Sequence, residues 1–208
     1  MEAVLDVDQR PYDPKHPRVC MDETSKQWLG ETRPPVTLAP GRAARQDDEH
    51  VRDGVANLFM FFEPLASRRE VRVTERRSKV DWARSVRERV DGHDPETERV
   101  VLVMDNLNTH TPASRYEAFP PAEAKRIAQR LEIHDTPKHG SWLNMAEIEF
   151  SVMGRPCLNR RLGTIEVLNT EATAWAVERN RQSRSVDWRF TTHDARIKLK
   201  QLYPSIQA

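Results

Sequence analysis

The sequence is poor in the features that mark several protein classes. Only two of its 208 residues are cysteine, Cys20 and Cys157, and they form no Cys-x-x-Cys pair. A disulfide framework and a zinc ribbon are thereby excluded, and both thiols are read as buried packing residues in a reducing cytoplasm. No apolar run is long enough to span a membrane, and the N-terminus carries Glu2, Asp6 and Asp8 where a leader would be apolar. The expectation is a soluble, cytoplasmic protein with no membrane partner. Internal repeats and low-complexity tracts are missing too. So is any excess of charge: 33 basic residues meet 32 acidic ones, for a net charge of +1, which neither supports nor excludes nucleic acid.

What is present is enough apolar residue, 38%, for one globular domain with a sizeable core. The basic residues are also biased. Seven are lysine, which leaves 26 arginines, whose forked donors suit phosphate and carboxylate; a GC-rich genome is the competing explanation.

The most informative stretch is Arg-Val-Val-Leu-Val-Met-Asp-Asn-Leu-Asn-Thr-His, from Arg99 to His110. Val100 to Met104 are five apolar residues without alternation, the pattern of a strand buried on both faces. It ends on Asp105. Ligands of open α/β sheets gather beyond the carboxyl ends of such strands, so Asp105, followed by Asn106, Asn108 and His110, is a candidate site; a turn-capping aspartate is the plainer alternative.

Residues 1–17, with three prolines and many charges, read as an extended lead-in. Arg18 to Thr24 is a short apolar strand that also ends in acid, Asp22 and Glu23. Residues 30–53 read as a long polar excursion, a functional loop or a short hairpin, whose acidic run Asp47-Asp48-Glu49 is taken as a solvated face. Val55 to Glu63 reads as a core strand and Glu70 to Thr74 as its half-exposed partner, which together with the Asp22 strand predicts an antiparallel meander. Ser78-x-x-Asp81 caps a helix with the stripe Trp82, Val86 and Val90, ending at Gly92. Pro120 and Pro121 open another with Ala124, Ile127, Ala128 and Leu131 on one face, and Ile133 to Thr136 is a final short strand. Thr164 to Asn180 and Ala195 to Leu202 are predicted helices, the last basic and amphipathic. Strands first, then alternating helix and strand, predict an α/β fold with a mixed sheet.

Between Ser141, a candidate cap, and Met153 lies a further helix. At about 100° per residue, Asn144, Glu147 and Ser151 form a polar ridge, with Leu143, Ala146, Phe150 and Met153 on one apolar face and Met145, Ile148 and Val152 on another. A helix apolar on two sides is expected to be largely buried. Glu149 lies off the ridge, so Glu147 is the preferred acid; the alternative for Glu147 is a buried acid paired with an arginine.

Two carboxylates at strand ends and one on a helix, meeting at one sheet edge, would offer oxygen ligands only. That set favours Mg²⁺ or Mn²⁺ over zinc, and a pair of such ions about 4 Å apart supports in-line phosphoryl displacement. The same crowded charges repel when no metal is bound.

The strand Cys-Met-Asp-Glu-Thr at Asp22, the strand Val-Met-Asp-Asn-Leu-Asn-Thr-His at Asp105, and Thr-Pro-Lys-His-Gly-Ser-Trp-Leu-Asn-Met-Ala-Glu around Glu147 resemble, together, the DDE catalytic domain of bacterial insertion-sequence transposases. The resemblance is to the insertion-sequence-630 branch of the mariner-like superfamily. It covers nearly the whole chain, including Asn-Leu-Phe-Met-Phe-Phe-Glu-Pro and Asp-Trp-Arg-Phe-Thr-Thr. It implies a ribonuclease-H-like sheet flanked by helices over residues 18–204, with Asp22, Asp105 and Glu147 as catalytic metal ligands for Mg²⁺ or Mn²⁺, two ions in number. The implied reaction is nicking at transposon ends followed by transfer of the freed 3′ hydroxyl into target DNA. Implied partners are the terminal inverted repeats, target DNA and a second copy in a synaptic homodimer, in a bacterial cytoplasm at the nucleoid. Two departures stand out: the spacing from Asp105 to Glu147 is longer than in mariner prototypes, and no helix-turn-helix domain is expected before Asp22.

Further DNA-contact candidates are His110, Lys138, His139, Trp142 and Asn144. His110 is either a phosphate contact or a hydrogen-bonded loop histidine; Lys138 and His139 either meet phosphate or are simply solvated. Trp142 either stacks on an unpaired base or packs. Arg68-Arg69, Arg76-Arg77-Lys79 and Arg160-Arg161 are backbone-contact patches only if they cluster at one groove. A catalytically idle remnant that binds DNA or partners, and a resolvase-type ribonuclease-H-like nuclease, are the rival functions.

Overall fold

Unbroken apolar runs, whose successive residues face opposite ways, build one mixed sheet with a separate core on each face. The structure is a computed structural model describing residues 1–31, 50–93, 95–138, 140–159 and 162–203. Its strands are β1 (Arg18–Glu31), β2 (His50–Glu63), β3 (Arg68–Thr74), β4 (Val100–Asp105) and β5 (Leu131–Thr136), in the order β3-β2-β1-β4-β5. β1 to β3 are the antiparallel meander, and β4 lies parallel to both β1 and β5. This is the predicted mixed sheet.

Because successive side chains on a strand face opposite ways, Cys20, Leu58, Met60, Val101 and Val103 point into one core and Met21, Phe59, Phe61, Leu102 and Met104 into the other. The first core is closed by α1 (Glu2–Asp8), α5 (Met145–Met153), α6 (Ile165–Arg181) and α7 (Thr192–Lys198). The second is closed by α2 (Lys79–Glu88), α4 (Pro121–Gln129) and the residue that ends α3 (Pro112–Ala118), Phe119. Two of these helices start on complete capping boxes. The Ser78 hydroxyl accepts from the Asp81 amide while Asp81 accepts from the Ser78 amide, and Thr191 and Asp194 repeat the arrangement.

Several expectations need correction. Residues 2–8 of the lead-in are helical, because Val4, Leu5 and Val7 are buried against the core and α7 rather than left to local preference. The strand at Arg18 is 14 residues long, so Asp22 lies within β1 and not at its end. β1 and β2 run into the flanks of the polar excursion; its acidic run, residues 47–49, lies outside the described residues. The proline-led segment after Thr111 holds the short helix α3. Ser141 opens a single 3-10 turn, and the cap of α5 is Asn144. The last helix begins at Thr192 and is followed by a 3-10 turn. Among the described residues no helix is long and apolar enough to cross a membrane.

Candidate active site

Register brings two of the predicted acids together. Cys20 and Val103 are the last pair of the parallel ladder, so Asp22 and Asp105 lie two residues beyond that pair on their own strands, and the charge of Asp105 bears on Asp22. The third acid is delivered by an amide. Asn144 accepts from the Ala146 amide with its side-chain oxygen, capping α5, and donates from Nδ2 to the Met21 carbonyl at 2.7 Å. One side chain thus starts the helix and fastens that start to the backbone just before Asp22. Glu147 then falls in the first turn of α5, half-buried.

The electrostatics register this gathering. The Asp22 carboxyl is pushed up to about 7, first by burial and then by the charges of Asp105, Glu147 and Glu23, against a stabilising bond from the Glu23 amide. Next to these acids opens a cleft of about 530 Å³ between the end of β4 and the loop after β5, lined by Asp105, Asn106, Thr136, Lys138 and Ser141. Lys138 is exposed at its rim. The donor set of Asp22, Asp105 and Glu147 suits a hard divalent cation in chemistry and in its surplus of negative charge. Among the described residues, no three acidic, histidine or cysteine side chains are drawn closely enough to hold an ion unaided. Mg²⁺ asks for less, one or two carboxylates completed by water and phosphate.

On the opposite face of β1 lies a second arrangement. The Glu23 side chain, 1% exposed, accepts from His110 Nε2 at 3.3 Å and pairs with Arg77 at 3.2 Å. His110 Nδ1 lies 2.8 Å from Asp105 Oδ1, and the imidazole stacks on Trp82 with centroids 5.5 Å apart. Burial disfavours the imidazolium, but the contacts with Asp105 and Glu23 prevail and raise His110 to about 9.

The other candidates fare unequally. His110 and Asn144 are buried with their polar atoms engaged inside the protein, so neither is placed to touch DNA. Trp142, 40% exposed, stacks on Trp188 and meets Phe190 edge-on, so much of its surface is occupied by packing. His139 and the pair at 160 and 161 lie outside the described residues. In the remaining basic patches Arg69 is a buried partner of Glu149, Arg68 pairs with Glu63, Arg77 with Glu23 and Lys79 with Glu117, while Arg76 is exposed. Helix α5 is less buried than expected, with Ile148 and Val152 exposed. The arginine-paired acid of α5 is Glu149, not Glu147. Sequence reasoning missed Glu23; the signal was the Asp-Glu dipeptide, which on a strand must place one acid on each face.

The family described as DDE superfamily endonuclease matches residues 17–169. No curated protein matches the sequence. Among solved structures, a Mos1 mariner paired-end complex with Mn is 17% identical with a TM-score of 0.55, covering 88% of this chain and 55% of that one. A paired-end complex with Mg is 15% identical with a TM-score of 0.56, covering 89% and 61%. The catalytic domain of Mos1 mariner transposase is 14% identical with a TM-score of 0.55, covering 88% and 81%. The chain therefore spans little more than half of the chains in the paired-end complexes, and the likeness is one of fold, the ribonuclease-H-like sheet.

Proposed function

The chain belongs to the DDE superfamily of endonucleases, and on that premise we propose that it is the catalytic domain of a mariner-like DNA transposase of the insertion-sequence-630 branch. Its reaction is divalent-metal-dependent hydrolysis of a phosphodiester at transposon ends, followed by strand transfer into target DNA. The observation that carries this reading is the placement of three acids from distant parts of the chain: Asp22 and Asp105 two residues beyond the pairing of Cys20 with Val103 on neighbouring strands, and Glu147 in the first turn of a helix that Asn144 fastens to the Met21 carbonyl. Glu23 is matched by Arg77 and His110, but among the described residues Asp22 and Glu147 have no ion-pair partner. Acids left so are costly to a fold, and a site that a cation completes accounts for them.

Asp22, Asp105 and Glu147 would hold Mg²⁺ or Mn²⁺, and two such ions supply an activated water or hydroxyl and neutralise the departing oxygen. The protein's own part is placement. Asn144 fixes the start of α5 against β1, which sets Glu147 toward Asp22. Lys138, exposed at the cleft, offers an ammonium to a phosphate of the bound strand. Asn106, exposed on the same rim, offers an amide to sugar or phosphate oxygens. DNA ends, target DNA and a second copy of the chain are the partners in this reading, and residues 18–204 form its catalytic unit.

The test is a nicking assay on DNA carrying the element's ends, with Mg²⁺ or Mn²⁺. Nicking by the wild type and none by Asp105→Ala is the expected result. Metal binding without nicking by the wild type would leave the idle, DNA-binding remnant.

A further inference from the structure

Asp105 ends its strand, where a carboxylate has rotational freedom that a working ligand must give up. The structure removes that freedom from behind. His110 Nδ1 lies 2.8 Å from Asp105 Oδ1 as an ion-pair contact and hydrogen-bonds the Asp105 main-chain carbonyl at 3.2 Å. Oδ1 is buried, while the side chain as a whole is 26% exposed, so its exposure lies on its other atoms. The His110 amide donates to the Leu107 carbonyl at 2.9 Å, which turns the chain back and brings the ring beneath Asp105. The ring itself is held on both edges and across one face: Asp105 at Nδ1, Glu23 at Nε2, and Trp82 stacked 24° from parallel. Glu23 is anchored in turn by Arg77. Strand β1 thus carries Asp22 on one face and, one residue later, the anchor of this clamp on the other.

We propose that His110 is a positioning residue that ties Asp105 to Glu23 and holds the Asp105 carboxylate turned toward the cleft. The inference rests on the reading of Asp105 as a metal ligand. Groups that orient a metal ligand without touching the metal typically govern affinity by about 10- to 100-fold. A histidine present only for packing would leave affinity alone.

The experiment measures Mn²⁺ binding by electron paramagnetic resonance of the free ion, together with kcat and KM for nicking. His110→Phe keeps a ring against Trp82 but has no donor; His110→Asn keeps an N–H near the position of Nδ1; Glu23→Gln removes the anchoring charge. His110→Phe should bind Mn²⁺ about tenfold more weakly and lose kcat with KM for DNA unchanged. Glu23→Gln should shift the same way by less, and His110→Asn should stay within about threefold of wild type. A folded His110→Phe with wild-type affinity, or equal losses in His110→Phe and His110→Asn, overturns the proposal. Should His110→Phe not fold, unchanged affinity in Glu23→Gln overturns it instead. Asp105→Ala is the separate control: if it binds Mn²⁺ as tightly as wild type, the reading of the site itself has failed.

Discussion

Glu147 and Glu149 sit two residues apart on α5, and their surroundings differ in kind. The Glu149 side chain is wholly buried and meets Arg69 at 2.7 Å and Arg179 at 3.3 Å, joining α5 to β3 and α6. Arg69 also lies over the Phe62 ring at 4.4 Å. Glu147 is half-buried, and among the described residues no cation is paired with it; its charge falls on Asp22. A buried acid matched by guanidinium groups holds elements together, while acids left to one another repel and disfavour each other's charged form. The two kinds of acid should therefore separate stability from activity.

The largest effect expected is on the matched side. Glu149→Ala strands two arginines, one of them fully buried, and should cost about 3–5 kcal/mol in urea unfolding. A loss under about 1 kcal/mol would show that the pair contributes little. Next comes the unmatched side: Glu147→Gln should lower the nicking rate about 100-fold, equivalent to ~2.7 kcal/mol, and leave the unfolding midpoint nearly unchanged. A large drop in stability with activity retained would invert the comparison.

Asp8 tests an intermediate case. Its side chain is buried with no hydrogen bond to either carboxyl oxygen, and burial lifts it to about 7 although Arg18 lies 3.6 Å away. A folded-state value above the ordinary 3.8 means that its contribution to stability is complete below about pH 4 and is lost as pH rises through about 7. Arg18 keeps the Val7 and Asp8 carbonyls as acceptors when the charge is removed. Asp8→Asn should therefore raise stability at pH 7.5 by ~2 kcal/mol and flatten the decline between pH 4 and 7. Parallel pH curves for the variant and wild type would contradict this. The smallest effect belongs to an acid in a purely local contact. Ser78→Ala breaks the Asp81 capping box and should cost ~1 kcal/mol by thermal melting without touching nicking.

Much of this was legible in the chain, for reasons that particular residues make plain. Val100 to Met104 has no alternation because both faces of β4 are covered, and Ser78 with Asp81 announces α2 by local hydrogen bonding alone. The helical wheel set Glu147 and Glu149 on different faces, and their surroundings do differ: Glu149 is buried against two arginines and Glu147 is half-buried. The wheel failed for Ile148 and Val152, which are apolar yet exposed, since periodicity cannot say how much of a helix its neighbours cover. The partners that decide each acid were out of reach: Arg69 lies 80 residues from Glu149, and His110 lies 87 from Glu23. Helix α1 was missed for a similar reason. Seven residues cannot sustain a helix by themselves, and what orders them is packing on the sheet core and on the far end of the chain.

That far end meets α1 directly. Glu2 takes a two-pronged grip from Arg196, with oxygens 2.7 and 2.8 Å from its nitrogens, and Asp6 accepts from the Thr192 hydroxyl at 2.6 Å. First and last helices are therefore neighbours in space, and the fold is close to a closed loop. A permuted gene that welds α7 to α1 through a short linker, and opens the chain at an exposed turn such as the one near Leu65, should still assemble the same sheet.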